Sequence, residues 1–184
     1  MAQGDPVWDF PVRRSTVLYL CLEDSFTRIQ NRLFQITEDA PESLHFATIA
    51  AGIGDGLEEQ LTDFLTLHPD TSMVVIDTLQ RIRGGSDNGN PYANDYRDIS
   101  SLKALADKHR IAILLIHHLR KETADDVFNR ISGTTAISGA VDSSFTLAED
   151  RRGSGKAKLS CIGRDIEYRE LSLAVSYTHL RAHE

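Results

Sequence analysis

The sequence predicts an α/β fold whose central sheet is mostly parallel and doubly wound. Three runs have the length of strands, are apolar except at their ends and show no alternation with polar residues: Thr16–Leu22, Ser72–Thr78 and Ile111–His117. Such runs are typical of parallel strands that are buried on both faces. Helical patterns lie between them, so strands and helices alternate along the chain, which is the order of a doubly wound sheet.

The helices are predicted from apolar residues that recur every three or four positions. Stripes of this kind extend over Phe26–Leu33, Leu57–Leu65 and Tyr96–Leu105. A short strand, Leu44–Thr48, is predicted between the first stripe and the second. Side-chain oxygens just before a stripe can accept the first unpaired backbone N–H groups of a helix. The predicted caps are Asp24 or Ser25 for the first helix and Asn94 or Asp95 for the third.

The pattern changes after His118. Residues 119–132 are rich in charge, and Gly133–Val141 is small and polar, which suits a loop or a short helix. Three further strand-like runs follow, and glycines at 153 and 155 indicate a tight turn between two of them. The sequence therefore predicts an antiparallel hairpin that extends the sheet. Its strands are predicted over Ser144–Ala148, Lys158–Ile162 and Glu170–Val175.

Composition and charge limit the classes of protein to which the chain can belong. The 184 residues carry a net charge of −7, so there is no overall basic field for nucleic acid. Any basic surface is local, or comes from an oligomer or another segment. No apolar run approaches the roughly 18–20 residues of a membrane span, so no membrane partner is expected. Cys21 and Cys161 lie in separate apolar runs, which is typical of reduced, buried thiols in a cytosolic protein.

Asp77 ends a strongly apolar strand, directly after Met73–Ile76. The strand would deliver this carboxylate to the carboxyl edge of the sheet, where ligands bind in open α/β folds. There it could hold a Mg²⁺ ion that bridges the phosphates of a nucleotide. The pattern alone is equally consistent with an ordinary strand whose aspartate caps the next turn, because many α/β strands end in this way.

Glu23 follows the first buried strand in the same manner. A glutamate at this edge could orient and deprotonate an attacking water molecule. For Asp24 and Ser25 the simpler interpretation is N-terminal capping of the next helix, and capping is also the alternative for Glu23. Two strands that end in acids at one edge of the sheet favour the catalytic interpretation of Glu23.

The third buried strand ends in His117 and His118. A polar side chain here could sense the γ-phosphate of a nucleotide and couple it to the following loop, and a structural histidine is the alternative. Chelation of one metal ion by both imidazoles is disfavoured, because adjacent residues of a strand point to opposite faces. No zinc-ligand spacing supports it either.

Cations at three places could contact phosphate. Arg164 follows the strand Leu159–Ile162 and could reach the nucleotide of a neighbouring subunit. From the spacing alone, a turn arginine paired with Asp165 or Glu167 is the simpler interpretation. Two loops could contact DNA, although mobile solvated loops explain their cations equally well. The cations are Arg81 and Arg83 in the first loop and Arg120, Lys121 and Arg130 in the second.

Six segments in a fixed order carry a resemblance to a known family. They are VLYLCLED, SMVVIDTLQRIRG, NPYANDYRDISSLKALAD, AILLIHHLRK, RISGTTAISGAVDSSFTL and LSCIGRDIEYREL. Over about residues 5–175 the chain resembles the AAA ATPases of the RepA-like group, RecA-fold hexameric motors related to replicative helicases. The resemblance implies a RecA-like P-loop NTPase core that couples ATP hydrolysis to DNA replication or helicase-type activity. It also implies ATP and Mg²⁺ as cofactors, a ring of identical subunits and single-stranded DNA as a partner.

The resemblance implies a role for each candidate site residue. Glu23 matches the catalytic glutamate that polarises water, Asp77 the Walker B ligand of Mg²⁺, and His118 the γ-phosphate sensor, where related helicases often carry glutamine. Arg164 stands where relatives place an arginine finger that acts across the subunit interface. Those relatives usually have a lysine two residues earlier, whereas this chain has Ile162. The segment from residue 119 to 135 corresponds to the region that faces the central channel and DNA.

The chain departs from the family pattern at both ends. No G-x-x-x-x-G-K-[ST] loop (Walker A) occurs, and Gly52–Gly56 has no lysine and follows the wrong strand. The family's loop and its helix precede VLYLCLED, but only 15 residues precede Thr16 here. The expectation is an N-terminally truncated domain, residues 1–175, that lacks the first strand and the P-loop and binds ATP weakly or not at all. Residues 176–184 (SYTHLRAHE) fit no part of the pattern and look like translated adapter sequence.

Two functions follow from these features. One is an ATPase motor domain, present as a fragment, and the other is a non-catalytic RecA-like adaptor that binds DNA or protein partners. Glu23, Asp77 and His118 together favour the motor, because an adaptor has no need of them. The missing phosphate-binding loop favours the adaptor.

Overall fold

The computed structural model describes residues 1–7, 10–84, 90–118, 135–151 and 153–174. The chain divides into two compact units. The first comprises the described parts of Met1–Gly89 and Ser100–His117, and the second those of Asn90–Ile99 and His118–Glu184.

The first unit contains a four-stranded parallel sheet. Its strands are β1 (Thr16–Cys21), β2 (Leu44–Ala47), β3 (Thr71–Asp77) and β4 (Ala112–Ile116), in the order β2-β1-β3-β4. All three pairings between neighbours are parallel. The predicted mostly parallel α/β sheet is therefore confirmed, and each end of the four predicted strands agrees with the observed bounds to within one residue.

Four helices accompany this sheet. They are α1 (Phe26–Ile36), α2 (Leu57–Leu67), α3 (Leu79–Ile82) and α4 (Pro91–His109), the last of which belongs to the first unit from Ser100 onward. The core of the unit combines central strand residues with the apolar stripes of the helices. Its most deeply buried members are Val74 and Ile76 of β3, Leu57 and Leu61 of α2, Leu79 and Ile82 of α3, and Leu102 of α4.

The caps of two helices test the sequence predictions. Ser25 caps α1, because its hydroxyl accepts the backbone N–H of Arg28 at 3.4 Å. For α4 the predicted caps, Asn94 and Asp95, are wrong, since the helix begins at Pro91 and Asn90 Oδ1 accepts the N–H of Ala93 at 3.3 Å. A proline suits the first position of a helix because its missing N–H would be unpaired there. The first turn of α4 therefore precedes the apolar stripe from which the helix was predicted.

The burial of β4 differs from the prediction. This strand is entirely apolar, yet Ala112 and Leu114 are exposed, Leu114 to 40%. The strand lies at the end of the sheet order, and in the part of the chain that the structure describes it pairs with β3 alone. An apolar run predicts a strand correctly, but it does not reveal whether both faces of that strand are covered.

The second unit contains an antiparallel sheet. Helix α5 (Thr135–Ala140) precedes the strands β5 (Ser143–Glu149), β6 (Lys156–Gly163) and β7 (Arg169–Ala174), which pair in the order β5-β6-β7. Positive φ angles at Gly153 (76°) and Gly155 (63°) form the predicted turn between β5 and β6. The antiparallel pairing is confirmed. In the described residues, however, these strands form a sheet of their own rather than the predicted extension of the parallel sheet.

Two further sequence predictions concern the ends of the chain and the membrane. The predicted boundary at residue 175 and the tail 176–184 lie outside the described residues. Among the helices that are described, none is long and apolar enough to cross a bilayer.

Candidate active site

The carboxyl ends of β1 and β3 meet at one edge of the parallel sheet. The register pairs Cys21 with Asp77, and the backbone N–H of Leu22 donates to the carbonyl oxygen of Asp77 at 2.7 Å. Glu23 is the next residue along the chain, so the two candidate acids come to the same edge. This shared edge is what the sequence predicted, and the catalytic roles of the two side chains stay predictions.

The carboxylate of Asp77 is held by a tyrosine from the neighbouring strand. Tyr19 Oη donates a hydrogen bond to Asp77 Oδ2 at 3.0 Å. Burial raises the pKa of the Tyr19 phenol well above its ordinary value, and the hydrogen bond and charge of Asp77 raise it further. The phenol therefore keeps its proton at neutral pH and acts as the donor. Sequence reasoning missed Tyr19, although a hydroxyl within a buried apolar strand was the available signal.

The carboxylate of Glu23 is held from the start of α3. Thr78 Oγ1 donates to Glu23 Oε1 at 2.9 Å, and Arg81 Nε lies 3.6 Å from the same oxygen. The side chains of Arg81 and Glu23 are 58% and 41% exposed, so their ion pair adds little stability by itself. Its importance is positional, because it orients Glu23. The peptide bond between Asp77 and Thr78 is cis.

Asp24, which was predicted as a cap, forms ion pairs instead. Its carboxylate contacts the guanidinium groups of Arg28 and Arg32 on α1. The side chain of Asp24 is only 16% exposed, and the two arginines lie one and two turns into the helix. The capping position is occupied by Ser25, so Asp24 is available for this pairing.

A cavity of about 530 Å³ lies beside β1 in the first unit. Its walls come from the strands β1, β2 and β3, from α1 and from the N-terminal segment, and they include Val17, Tyr19 and Cys21. Cys21 is buried, and burial, followed by the negative charges of Asp77 and Asp24, raises the pKa of its thiol to about 11. Cys21 therefore contributes a neutral thiol to the cavity wall at physiological pH. Both cysteines are free, as predicted, but the predicted burial holds for Cys21 only, because Cys161 is half-buried.

Two candidates, His118 and Arg164, belong to the second unit. His118 is exposed and follows the end of β4 by two residues. Arg164 Nη2 donates to the carbonyl oxygen of Gly139 at 3.3 Å, and Nη1 lies 3.7 Å from Asp142 Oδ1. Arg164 thus pairs with Asp142 at the start of β5 rather than with a residue of its own turn. The phosphate-sensing role of His118 and the finger role of Arg164 stay predictions.

The cations proposed for DNA contact fall into two groups. Arg81 is directed to Glu23, and the half-buried Arg83 forms the C-terminal cap of α3. The other three candidates, Arg120, Lys121 and Arg130, lie outside the described residues.

The donor set at this edge fits one mode of Mg²⁺ binding. In the described part of the chain, no group of three or more His, Cys, Asp or Glu side chains is close enough to enclose a metal ion. Mg²⁺ is commonly bound through one or two carboxylates, with water and substrate phosphates completing its octahedron. Because Tyr19 engages one oxygen of Asp77, the other oxygen, Oδ1, is the one that suits such a metal.

Solved structures with a similar fold include ATPase, helicase and recombinase proteins. One described as an ATPase domain matches with a TM-score of 0.73 at 14% identity, covering 90% of this chain and 72% of that one. A DnaB-like replicative helicase, described with its interactions with primase, matches with a TM-score of 0.72 at 14% identity. This match covers 88% of this chain and 50% of that one. The RadB recombinase matches with a TM-score of 0.58 at 16% identity, covering 88% of this chain and 76% of that one.

The class and the family follow from these comparisons. The fold is that of an α/β protein and is similar to RecA-like helicase ATPase domains. A family described as AAA domain matches residues 1–124, which is more than half of the chain, and the chain belongs to that family. A search of curated proteins finds no match.

Proposed function

We propose that this chain is an ATPase motor domain of the RepA-like group, which couples ATP hydrolysis to DNA replication or helicase-type activity. The observation that carries the proposal is the edge where β1 and β3 end together. The pairing of Cys21 with Asp77 and the hydrogen bond from Leu22 to Asp77 bring two acids to the position where open α/β sheets bind ligands. The AAA domain family and the helicase-like fold agree with this chemistry.

The two acids have distinct tasks in the proposed reaction. Asp77 presents a carboxylate oxygen to Mg²⁺, which when bound neutralises charge on the phosphates of ATP. Glu23 accepts a proton from the attacking water molecule and orients that water in line with the γ-phosphate. Thr78 and Arg81 fix the position of Glu23 through its Oε1. His118 senses the γ-phosphate in this scheme, and Arg164 acts toward the nucleotide of an adjacent subunit.

The proposed working form is a cytoplasmic ring of identical subunits that acts on single-stranded DNA. An arginine finger has a function only where a second subunit supplies the nucleotide, so the role of Arg164 requires an oligomer. The chain carries a net charge of −7, so any DNA contact depends on local cations. The candidates are Arg81, Arg83, Arg120, Lys121 and Arg130.

One observation favours a second candidate function, a RecA-like adaptor without catalysis. The 184 residues contain no G-x-x-x-x-G-K-[ST] loop. Phosphate affinity in P-loop proteins comes largely from the backbone N–H groups of that loop, its lysine and a helix N-terminus. A domain that works without such a loop would bind partners rather than hydrolyse ATP.

Binding of Mn²⁺, a paramagnetic substitute for Mg²⁺, tests the metal role of Asp77. In amide NMR spectra of the 184-residue protein, we expect Mn²⁺ to broaden the signals of Cys21, Leu22 and Thr78 selectively. Asp77→Asn should remove this broadening because the substitution removes the charged ligand. Asp70→Asn is the matched control, because Asp70 directly precedes the other end of the same strand. There its Oδ2 accepts a hydrogen bond from Thr16 Oγ1 at 2.7 Å. Broadening that persists in Asp77→Asn would contradict the assignment.

ATP turnover separates the motor from the adaptor. The 184-residue chain by itself is expected to release phosphate no faster than a buffer control. The same measurement is then made on the protein translated from the coding DNA with its upstream sequence included. A phosphate-binding loop in that sequence, with Mg²⁺-dependent turnover that Glu23→Gln abolishes, would support the motor. An upstream sequence with no such loop and no turnover would support the adaptor.

A further inference from the structure

Tyr19 is placed by the sheet itself beside the candidate metal ligand. Side chains alternate between the two faces of a strand, so Tyr19 and Cys21 lie on the same face of β1. Because Cys21 is paired with Asp77 in the register, the carboxylate of Asp77 emerges on this face, one step beyond Tyr19. The phenol is long enough to span that step, and its oxygen reaches Asp77 Oδ2 at 3.0 Å.

The ring of Tyr19 is held from its other side by an aromatic neighbour. Tyr19 is paired with Phe46 of β2 in the parallel register, and the two ring centroids are 5.9 Å apart with the planes inclined by 32°. Contacts between aromatic rings at this separation are favourable. The hydroxyl is therefore positioned by regular strand geometry and ring packing rather than by a loop.

A single hydrogen bond to one oxygen restricts the orientation of a carboxylate. An aspartate at a strand end can rotate about its terminal torsion, which has broad minima. The bond from Tyr19 to Oδ2 limits that rotation and directs Oδ1 away from the phenol. Hydrogen-bond partners of metal ligands orient those ligands, and their removal commonly weakens metal binding.

We propose that Tyr19 is a positioning residue that presents Asp77 Oδ1 to the divalent cation. This inference rests on the proposed function in one respect, since it takes Asp77 to be a cation ligand. It assigns to β1 a second task beyond delivering Glu23 to the edge of the sheet.

Replacing Tyr19 with phenylalanine tests the inference with Mn²⁺ alone as the probe. The change keeps the ring and its contact with Phe46 and removes only the hydroxyl. We expect Tyr19→Phe to weaken Mn²⁺ binding at Asp77, measured by amide broadening, by about two- to tenfold, the equivalent of one hydrogen bond. Tyr92→Phe is the matched control, because Tyr92 is 51% exposed on α4 and should leave the affinity unchanged.

A second measurement keeps the hydroxyl of Tyr19 in place. With 3-fluorotyrosine incorporated throughout the protein, the fluorine NMR signal of Tyr19 should shift as Mg²⁺ is added and should not shift in Asp77→Asn. A shift of this signal shows that Mg²⁺ reaches the carboxylate to which the Tyr19 hydroxyl is bonded.

The outcomes distinguish the two proposals. If wild-type protein binds Mn²⁺ at Asp77 and Tyr19→Phe binds it equally well, the positioning role is overturned and the metal role of Asp77 stands. If wild-type protein shows no selective broadening at Asp77, both are overturned. A silent Tyr19 fluorine signal in protein whose Asp77 binds Mn²⁺ also overturns the positioning role.

Discussion

Truncating Leu79 to alanine is expected to lower the free energy of unfolding of the first unit by about 2–5 kcal/mol. Leu79 is the first residue of α3, and only 1% of its surface is exposed. Removing a buried leucine side chain loses the favourable free energy of its transfer out of water. It also leaves a cavity that the surrounding core fills only in part. Alanine is a good helix former, so the loss reports packing rather than helix propensity.

Leu114→Ala is the matched control for this prediction. The substitution is chemically identical, but Leu114 is 40% exposed on β4, so much less burial is lost. Native-state hydrogen exchange of the β1 and β3 amides measures both effects, because the exchange of core strands reports the larger unfolding events. Equal losses for the two variants would contradict the burial difference between α3 and β4.

The Leu79 substitution also has an expected consequence at the site. Helix α3 is a single turn whose two apolar residues, Leu79 and Ile82, are almost completely buried. That turn holds Thr78 and Arg81 against Glu23. Loosening the turn should therefore shift the side-chain NMR signal of Glu23, whereas Leu114→Ala should not.

The parallel sheet and its acidic edge could be predicted from the sequence because both depend on local patterns. A buried strand needs an uninterrupted apolar run, and the residues at its carboxyl end emerge at the edge of the sheet. The place of Asp77 and Glu23 at that edge could therefore be predicted from their strands. Helix α3 could not be predicted in this way. Four residues contain about one helical turn, which is too short to show a 3.6-residue period.

The partners of the candidate acids depend on contacts that are distant in sequence. Tyr19 and Asp77 are 58 residues apart, and Thr78 and Glu23 are 55 apart. Such pairs follow from strand order and register, which local patterns do not specify. The exposure of Leu114 has the same origin, because it depends on the place of β4 at the end of the sheet order.

Replacing Gly163 with alanine is expected to destabilise the antiparallel sheet by about 1–3 kcal/mol, the usual cost of forcing extra volume into a packed site. A Cβ at Gly163 would lie 2.5 Å from Ser143 Oγ and 2.8 Å from the backbone carbonyl oxygen of Asp142. The serine hydroxyl can rotate away, but the carbonyl belongs to the chain that begins β5. The backbone must therefore move, and the pairing of Ser143 with Gly163 at the end of β6 should weaken.

The matched control is Gly139→Ala in α5, where nothing lies within 4 Å of the added Cβ. Alanine favours a helix over glycine by about 1 kcal/mol, so this variant is expected to be neutral or slightly stabilised. Hydrogen exchange of the β5 and β6 amides separates the two variants. Equal protection of these amides in both would contradict the predicted clash at Gly163.

Both glycines adjoin Arg164, which follows Gly163 and donates to the carbonyl oxygen of Gly139. A shift of Asp142 in Gly163→Ala should also weaken the ion pair between Arg164 Nη1 and Asp142 Oδ1, which are 3.7 Å apart. The same glycine-to-alanine change is thus expected to destabilise the protein at Gly163 and not at Gly139. That difference would show that close packing, and not chain flexibility, requires glycine at position 163.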